Sequence, residues 1–144
     1  MPRILVIDDE TLVLGTIQAW LVREGYEVVA VSNGRNGLLA FEHSPFDAVM
    51  VDLFMPDMDG AETIDALRRL DPHVAIIAMS GMTFREAARE RPPDFLGIGV
   101  RIDALCTLHK PFKNAELIAA VRACVAATQD GAARRGGAGA QHAA

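Results

Sequence analysis

With 144 residues and 51% hydrophobic content, the chain can bury one sizeable core, so a single domain is expected. The formal net charge of -5, without any basic patch interleaved with aromatics, disfavours direct nucleic-acid binding. No charged leader with a small-residue cleavage site is visible, and no apolar run approaches the ~18 residues of a membrane span, so a cytoplasmic protein that does not enter the membrane is expected.

In chain order, residues 3–7 form a β-branched apolar run that stops at Asp8-Asp9-Glu10, a first strand with acids at its carboxyl end. Thr11 is placed to cap the first helix, in which Leu12, Ile17, Trp20 and Leu21 recur near helical spacing until Gly25. Residues 26–31 read as a second strand with Ser32-Asn33-Gly34 as its turn. Residues 36–43 read as a short helix with Leu38, Leu39 and Phe41 inward, ended by Ser44-Pro45. The third strand is the apolar run 48–51 closing on Asp52, which suits a strand buried on both faces of a parallel sheet. Met55-Pro56 cannot continue it, and Asp57-Met58-Asp59-Gly60 reads as a tight turn into a helix over residues 60–70 that presents Ile64 and Leu67.

A fourth buried strand over residues 74–79 ends on Ser80-Gly81, and a fifth over residues 105–108 ends on His109-Lys110-Pro111-Phe112. The last helix covers residues 115–127, with Leu117, Ile118, Val121 and Val125 on one face. Between the fourth and fifth strands, residues 82–93 lack an apolar face and contain Pro92-Pro93, so an extended loop is expected there. A helix restarts at about Asp94 and runs to about Ile102, weakened by Gly97 and Gly99 at ~1 kcal/mol each. After residue 127 the chain is glycine- and alanine-rich with nothing to bury, and residues 128–144 are expected to be disordered. Cys106 and Cys124 lack metal or disulfide spacing and read as buried thiols, while His43, His73 and His109 read as surface residues.

Strands alternating with helices imply a doubly wound parallel α/β sheet covered on both faces, and in such sheets ligands bind at the carboxyl ends of the strands. Asp8 and Asp9, Asp52, Ser80 and Lys110 all fall at that edge. Any one of them alone is an ordinary turn or surface residue. Three convergent carboxylates repel one another, an arrangement tolerated where a hard divalent cation is held by oxygens, and Mg²⁺ suits such an open site. Asp52 is then a candidate nucleophile for an aspartyl-phosphate. Mg²⁺ and the Lys110 ammonium would neutralise the transferred group, and the Ser80 hydroxyl would contact it.

Those motifs together, Asp8-Asp9, the run from Asp52 to Gly60 with Met55-Pro56 and Asp59-Gly60, Ser80-Gly81 and Lys110-Pro111-Phe112, resemble the receiver domain of two-component response regulators. The resemblance covers residues 3–127 and implies a flavodoxin-like five-stranded sheet of order 2-1-3-4-5. It implies Mg²⁺-dependent phosphorylation of Asp52 by a sensor histidine kinase or phosphotransfer protein, in a phospho-acceptor signalling domain rather than an enzyme. By the same resemblance Asp9, Asp52 and the Phe54 carbonyl ligate Mg²⁺, Asp8 acts through water, Lys110 and Ser80 contact the phosphoryl group, and the Lys110-Pro111 bond is cis. A stand-alone module that signals by altered binding to a downstream protein is expected.

Three positions depart from the family pattern. Thr107 stands where the family's switch residue is usually aromatic, so the usual swing of a ring cannot occur. The interval between Ser80 and Lys110 is long, and its excess falls in residues 82–93, which are therefore expected to be the moving part. Phe54 borders the path of hydrolytic water and would slow phosphoryl loss; packing under a loop is the plainer role for that ring. A pseudo-receiver scaffold is an alternative reading. A phosphatase of the haloacid dehalogenase type is another, but that family places a second aspartate where Phe54 stands.

Overall fold

The structure is a computed structural model that describes residues 1–55, 59–81 and 106–143, with residues 132–143 as backbone alone. The elements in order are β1 (Arg3–Ile7), α1 (Thr11–Arg23), β2 (Glu27–Val31), α2 (Gly34–His43), β3 (Ala48–Asp52), α3 (Gly60–Leu70), β4 (Ile76–Ser80), β5 (Cys106–His109) and α4 (Asn114–Ala143). All neighbouring strands pair in parallel in the order β2-β1-β3-β4-β5, the flavodoxin-like order.

Period-two alternation along the strands sends side chains to two cores. Ile4, Val6 and Met50 join Ile17 and Leu21 of α1 and Leu117, Val121 and Cys124 of α4 on one face. Leu5, Ile7, Val49 and Val51 join Ile64 and Leu67 of α3 on the other. β3 lies mid-sheet and is buried throughout, which explains why its sequence is an unbroken apolar run up to Asp52.

Helix ends follow local chemistry. α1 closes in a Schellman arrangement, with Gly25 at φ +93 donating to the Val22 carbonyl and Tyr26 N–H to that of Leu21. Asn33 and Asp59 cap α2 and α3 by accepting from the N–H groups of Asn36 and Glu62. Thr11, expected as a cap, is instead the first residue of α1. Its N-cap is Glu10, whose side chain makes no capping bond, because Asp8 Oδ1 accepts from Glu10 N–H at 2.9 Å and carries the turn forward.

Leu39, expected inward, is exposed. α2 lies down on Gly34 and Gly37, which orients Leu38 and Phe41 to the core and turns Leu39 away. The β2 and β4 ladders begin one and two residues later than the apolar runs suggest, although Val74 and Ala75 are buried and the Ala75 carbonyl accepts from Val49 N–H at 2.9 Å. Residue 105 lies outside the described residues. Cys124 is buried as expected, its thiol pushed up to about 12 by burial and by neighbouring Cys106, while Cys106 on edge strand β5 is only half-buried.

α4 runs on to Ala143, where composition predicts disorder. Extending a docked helix needs no new nucleus. The Thr128 hydroxyl donates to the Asp47 carbonyl at 2.6 Å and ties the helix to the body beyond residue 127. The expected loop over residues 82–93, the helix over 94–102 and Met58 lie outside the described residues. No helix among the described residues is long and apolar enough to cross a membrane.

Candidate functional site

The parallel register brings the strand ends to one edge. β1 delivers Asp8 and Asp9, β3 ends on Asp52, β4 on Ser80, and β5 leads directly into Lys110. Asp8 is held by its N–H donating to Val31 O at 3.1 Å and Lys110 by its N–H donating to Ser80 O at 2.7 Å. The Lys110-Pro111 peptide is cis, as the resemblance implies.

Gly60 fixes the loop that follows Asp52. A Cβ there would collide with the Asp52 carbonyl oxygen and the Leu53 Cα, and its own N–H donates to Leu53 O at 3.1 Å. The first turn of α3 can therefore press against the end of β3 only with glycine at that position. Phe54 N–H donates to Asp52 Oδ1 at 3.2 Å and orients the carboxylate. The Phe54 ring is half-buried against the α2/α3 core.

The carboxylates of Asp8, Asp9, Glu10 and Asp52 offer ligand atoms within 4.8 Å of one another. Asp8 and Asp52 are buried, at 0% and 3% exposure, while Asp9 and Glu10 are exposed. Among them sits the Lys110 ammonium. It donates to Glu10 Oε1 at 3.2 Å and Asp52 Oδ2 at 3.3 Å, and it pairs with Asp8 Oδ2 at 2.7 Å.

Burial, then the Asp8 charge, raises the Asp52 carboxyl to about 7 against the opposing pull of Lys110 and the Phe54 N–H. Burial alone would lower Lys110, but Asp8, Asp52 and Glu10 outweigh it and hold the ammonium above its usual value. The convergence of hard oxygen ligands from Asp8, Asp9, Glu10 and Asp52 within 4.8 Å of one another fits a small divalent cation. Among the described residues four acids surround one ammonium, which leaves surplus negative charge.

The sequence reading placed Asp8, Asp9, Asp52, Ser80 and Lys110 at this edge. The structure brings the three aspartates and Lys110 together and sets Ser80 at the end of the neighbouring strand, one position beyond the Asp52–Met79 pair. It adds Glu10, legible only as a third acid after β1, and Gly60, legible only as a turn glycine. Thr107 is exposed on β5, opposite Ala78 in the ladder. Beside the acids, a groove of about 520 Å³ opens between α1 and the segment after β5, lined by Glu10, Val13, Trp20, Lys110 and Phe112 among others.

Comparison with known proteins agrees with this geometry. The family model of the response regulator receiver domain matches residues 4–122. The transcriptional regulatory protein PrrA of Mycobacterium tuberculosis is 34% identical over 122 residues, 85% of this chain and 49% of the relative. PcoR of Escherichia coli, also a transcriptional regulatory protein, is 33% identical over 85% of this chain and 50% of its own length. The chain thus spans about half the length of these curated relatives. Among solved structures, the chemotaxis protein CheY4 of Vibrio cholerae superposes with a TM-score of 0.74 at 25% identity, covering 86% of this chain and 98% of that one. A receiver domain protein from Clostridium thermocellum gives 0.76 at 27% identity, covering 90% and 98%. The sheet order, the acids and lysine at its carboxyl edge, and the match over residues 4–122 together make this chain a member of the response regulator receiver domain family.

Proposed function

We propose that this receiver accepts a phosphoryl group on Asp52 from the phosphohistidine of a sensor histidine kinase or phosphotransfer protein, in a Mg²⁺-dependent reaction. It signals by changing its contacts with a downstream protein rather than by binding nucleic acid or membrane itself. The supporting observation is the buried Asp52 carboxylate facing the Lys110 ammonium within a ring of acids. The receiver unit is assigned to residues 1–127, with the rest of α4 outside it.

In the transfer, an Asp52 carboxylate oxygen forms a bond to phosphorus while the P–N bond breaks and its electron pair leaves with the imidazole. The product on this chain is an acyl phosphate. Because the transferred group carries most of its charge on peripheral oxygens, a fixed ammonium near it stabilises the transition state; Lys110 has that role. The Ser80 hydroxyl takes a phosphoryl oxygen, and the Phe54 N–H keeps the acceptor carboxylate oriented. Asp9, Asp52 and the Phe54 carbonyl, with Asp8 through water, would hold Mg²⁺. When bound, Mg²⁺ supplies positive charge that keeps Asp52 ionised and offsets that of the phosphoryl group.

Incubation with acetyl phosphate tests the reading by intact mass. The expected result is a gain of one phosphoryl group with Mg²⁺ and none with a chelator. A chain that stays unlabelled with Mg²⁺, or labels equally in chelator, would contradict it and favour a scaffold that only binds.

A further inference from the structure

The N-cap position of α1 leaves one side chain unexplained. Glu10 occupies the cap yet makes no capping bond, while its own N–H is taken by Asp8. Its carboxylate reaches the Lys110 ammonium instead, at 3.2 Å across 100 positions of sequence. The three carboxylates around that ammonium differ in freedom. Asp8 is fully buried and Asp52 nearly so, at 0% and 4% side-chain exposure, whereas Glu10 is 59% exposed. Asp8 Oδ1 is also committed to the Glu10 N–H.

An ammonium has only three donors. Lys110 already donates to Glu10 and Asp52 and pairs closely with Asp8, so a phosphoryl oxygen entering its reach competes with these three carboxylates, and the partner that returns to water at least cost is the exposed one. We propose that Glu10 is a positioning residue for Lys110. It holds the ammonium at the mouth of the α1 groove and yields it as negative charge arrives on Asp52, so it competes with the incoming group. This inference rests on the phosphoryl-acceptor reading above.

Beryllofluoride, a phosphoryl mimic, titrated calorimetrically at saturating Mg²⁺ tests it. Glu10→Gln keeps the shape but lowers the competing charge, and binding should tighten about threefold to fivefold, the scale of one exposed ion pair. Glu10→Asp keeps the charge but is one methylene short of the ammonium, so it should share part of that gain. The gain should shrink at about 0.5 M salt, because Glu10 is solvent-exposed and screened.

Unchanged or weaker binding by Glu10→Gln would overturn the proposal. A gain in Glu10→Gln that Glu10→Asp does not share would overturn it too, since the effect would then come from charge alone and not from the contact with Lys110. If the wild-type chain binds no beryllofluoride with Mg²⁺, the phosphoryl-acceptor reading itself falls.

Discussion

Asp52 combines burial with a neighbouring carboxylate, and its proton affinity is the most direct physical signature of the site. Its carboxyl lies at about 7 in the folded chain against 3.8 for the free side chain. Between those values the folded state holds a proton that the unfolded state has lost, so stability falls as pH rises from about 4 to about 7. Urea denaturation in chelator should therefore give a chain less stable at about pH 7.5 than at about pH 5. Asp52 accounts for a difference on the order of 2 to 4 kcal/mol, and Asp52→Asn should remove most of it. Adding Mg²⁺ should restore stability most at the higher pH, where the proton that competes with the cation for the same oxygens has left. A slope unchanged in Asp52→Asn would mean that another group carries the titration. From sequence, Asp52 was legible because a buried strand ended on it. Glu10 was not, because nothing in a run of three acids tells which one turns back to a lysine far along the chain.

At the scale of elements, α2 and α3 sit against the strand ends through glycines of different tolerance. A Cβ at Gly37 would strike the Cδ1 and Cγ1 atoms of the Ile7 side chain, which is fully buried and must shift within the core. At Gly60 it would strike the backbone of Asp52 and Leu53, which cannot move without disturbing the acceptor. Gly60→Ala should destabilise by about 2 to 3 kcal/mol and weaken Mg²⁺ binding. Gly37→Ala should cost about 1 to 2 kcal/mol, since overpacking against Ile7 is partly offset by alanine's better helix propensity, and should leave Mg²⁺ binding unchanged. Denaturant midpoints and Mg²⁺ titrations of the two variants check the contrast; equal effects at both positions would argue against Gly60 as the residue that seats the loop. Helix starts were only partly legible. The turn leading into α3 at Gly60 followed from local chemistry, but the capping bond of Asp59 was not read there, and the start of α1 depended on the Asp8 side chain turning the chain at Glu10.

For the whole molecule, the alternation of buried strands and amphipathic helices was enough to read the doubly wound sheet, and the residues at its carboxyl edge were enough to read the receiver family. What escaped was set by contacts distant in sequence. The final helix continues past residue 127, where the Thr128 hydroxyl meets the Asp47 carbonyl, and no composition argument finds that contact. The surplus of acids over cations among the described residues at one edge also follows from the fold, which converges β1 and β3 on Lys110 beyond β5. The central claim is that this convergence makes Asp52, and neither of the other aspartates, the phosphoryl acceptor. Borohydride reduction after acetyl phosphate and Mg²⁺ treatment, followed by peptide mass mapping, tests it directly, because an aspartyl-phosphate is reduced to homoserine where it forms. The account predicts homoserine at position 52 and no reducible label in a folded Asp52→Asn variant; homoserine at position 8 or 9, or label retained in Asp52→Asn, would contradict it.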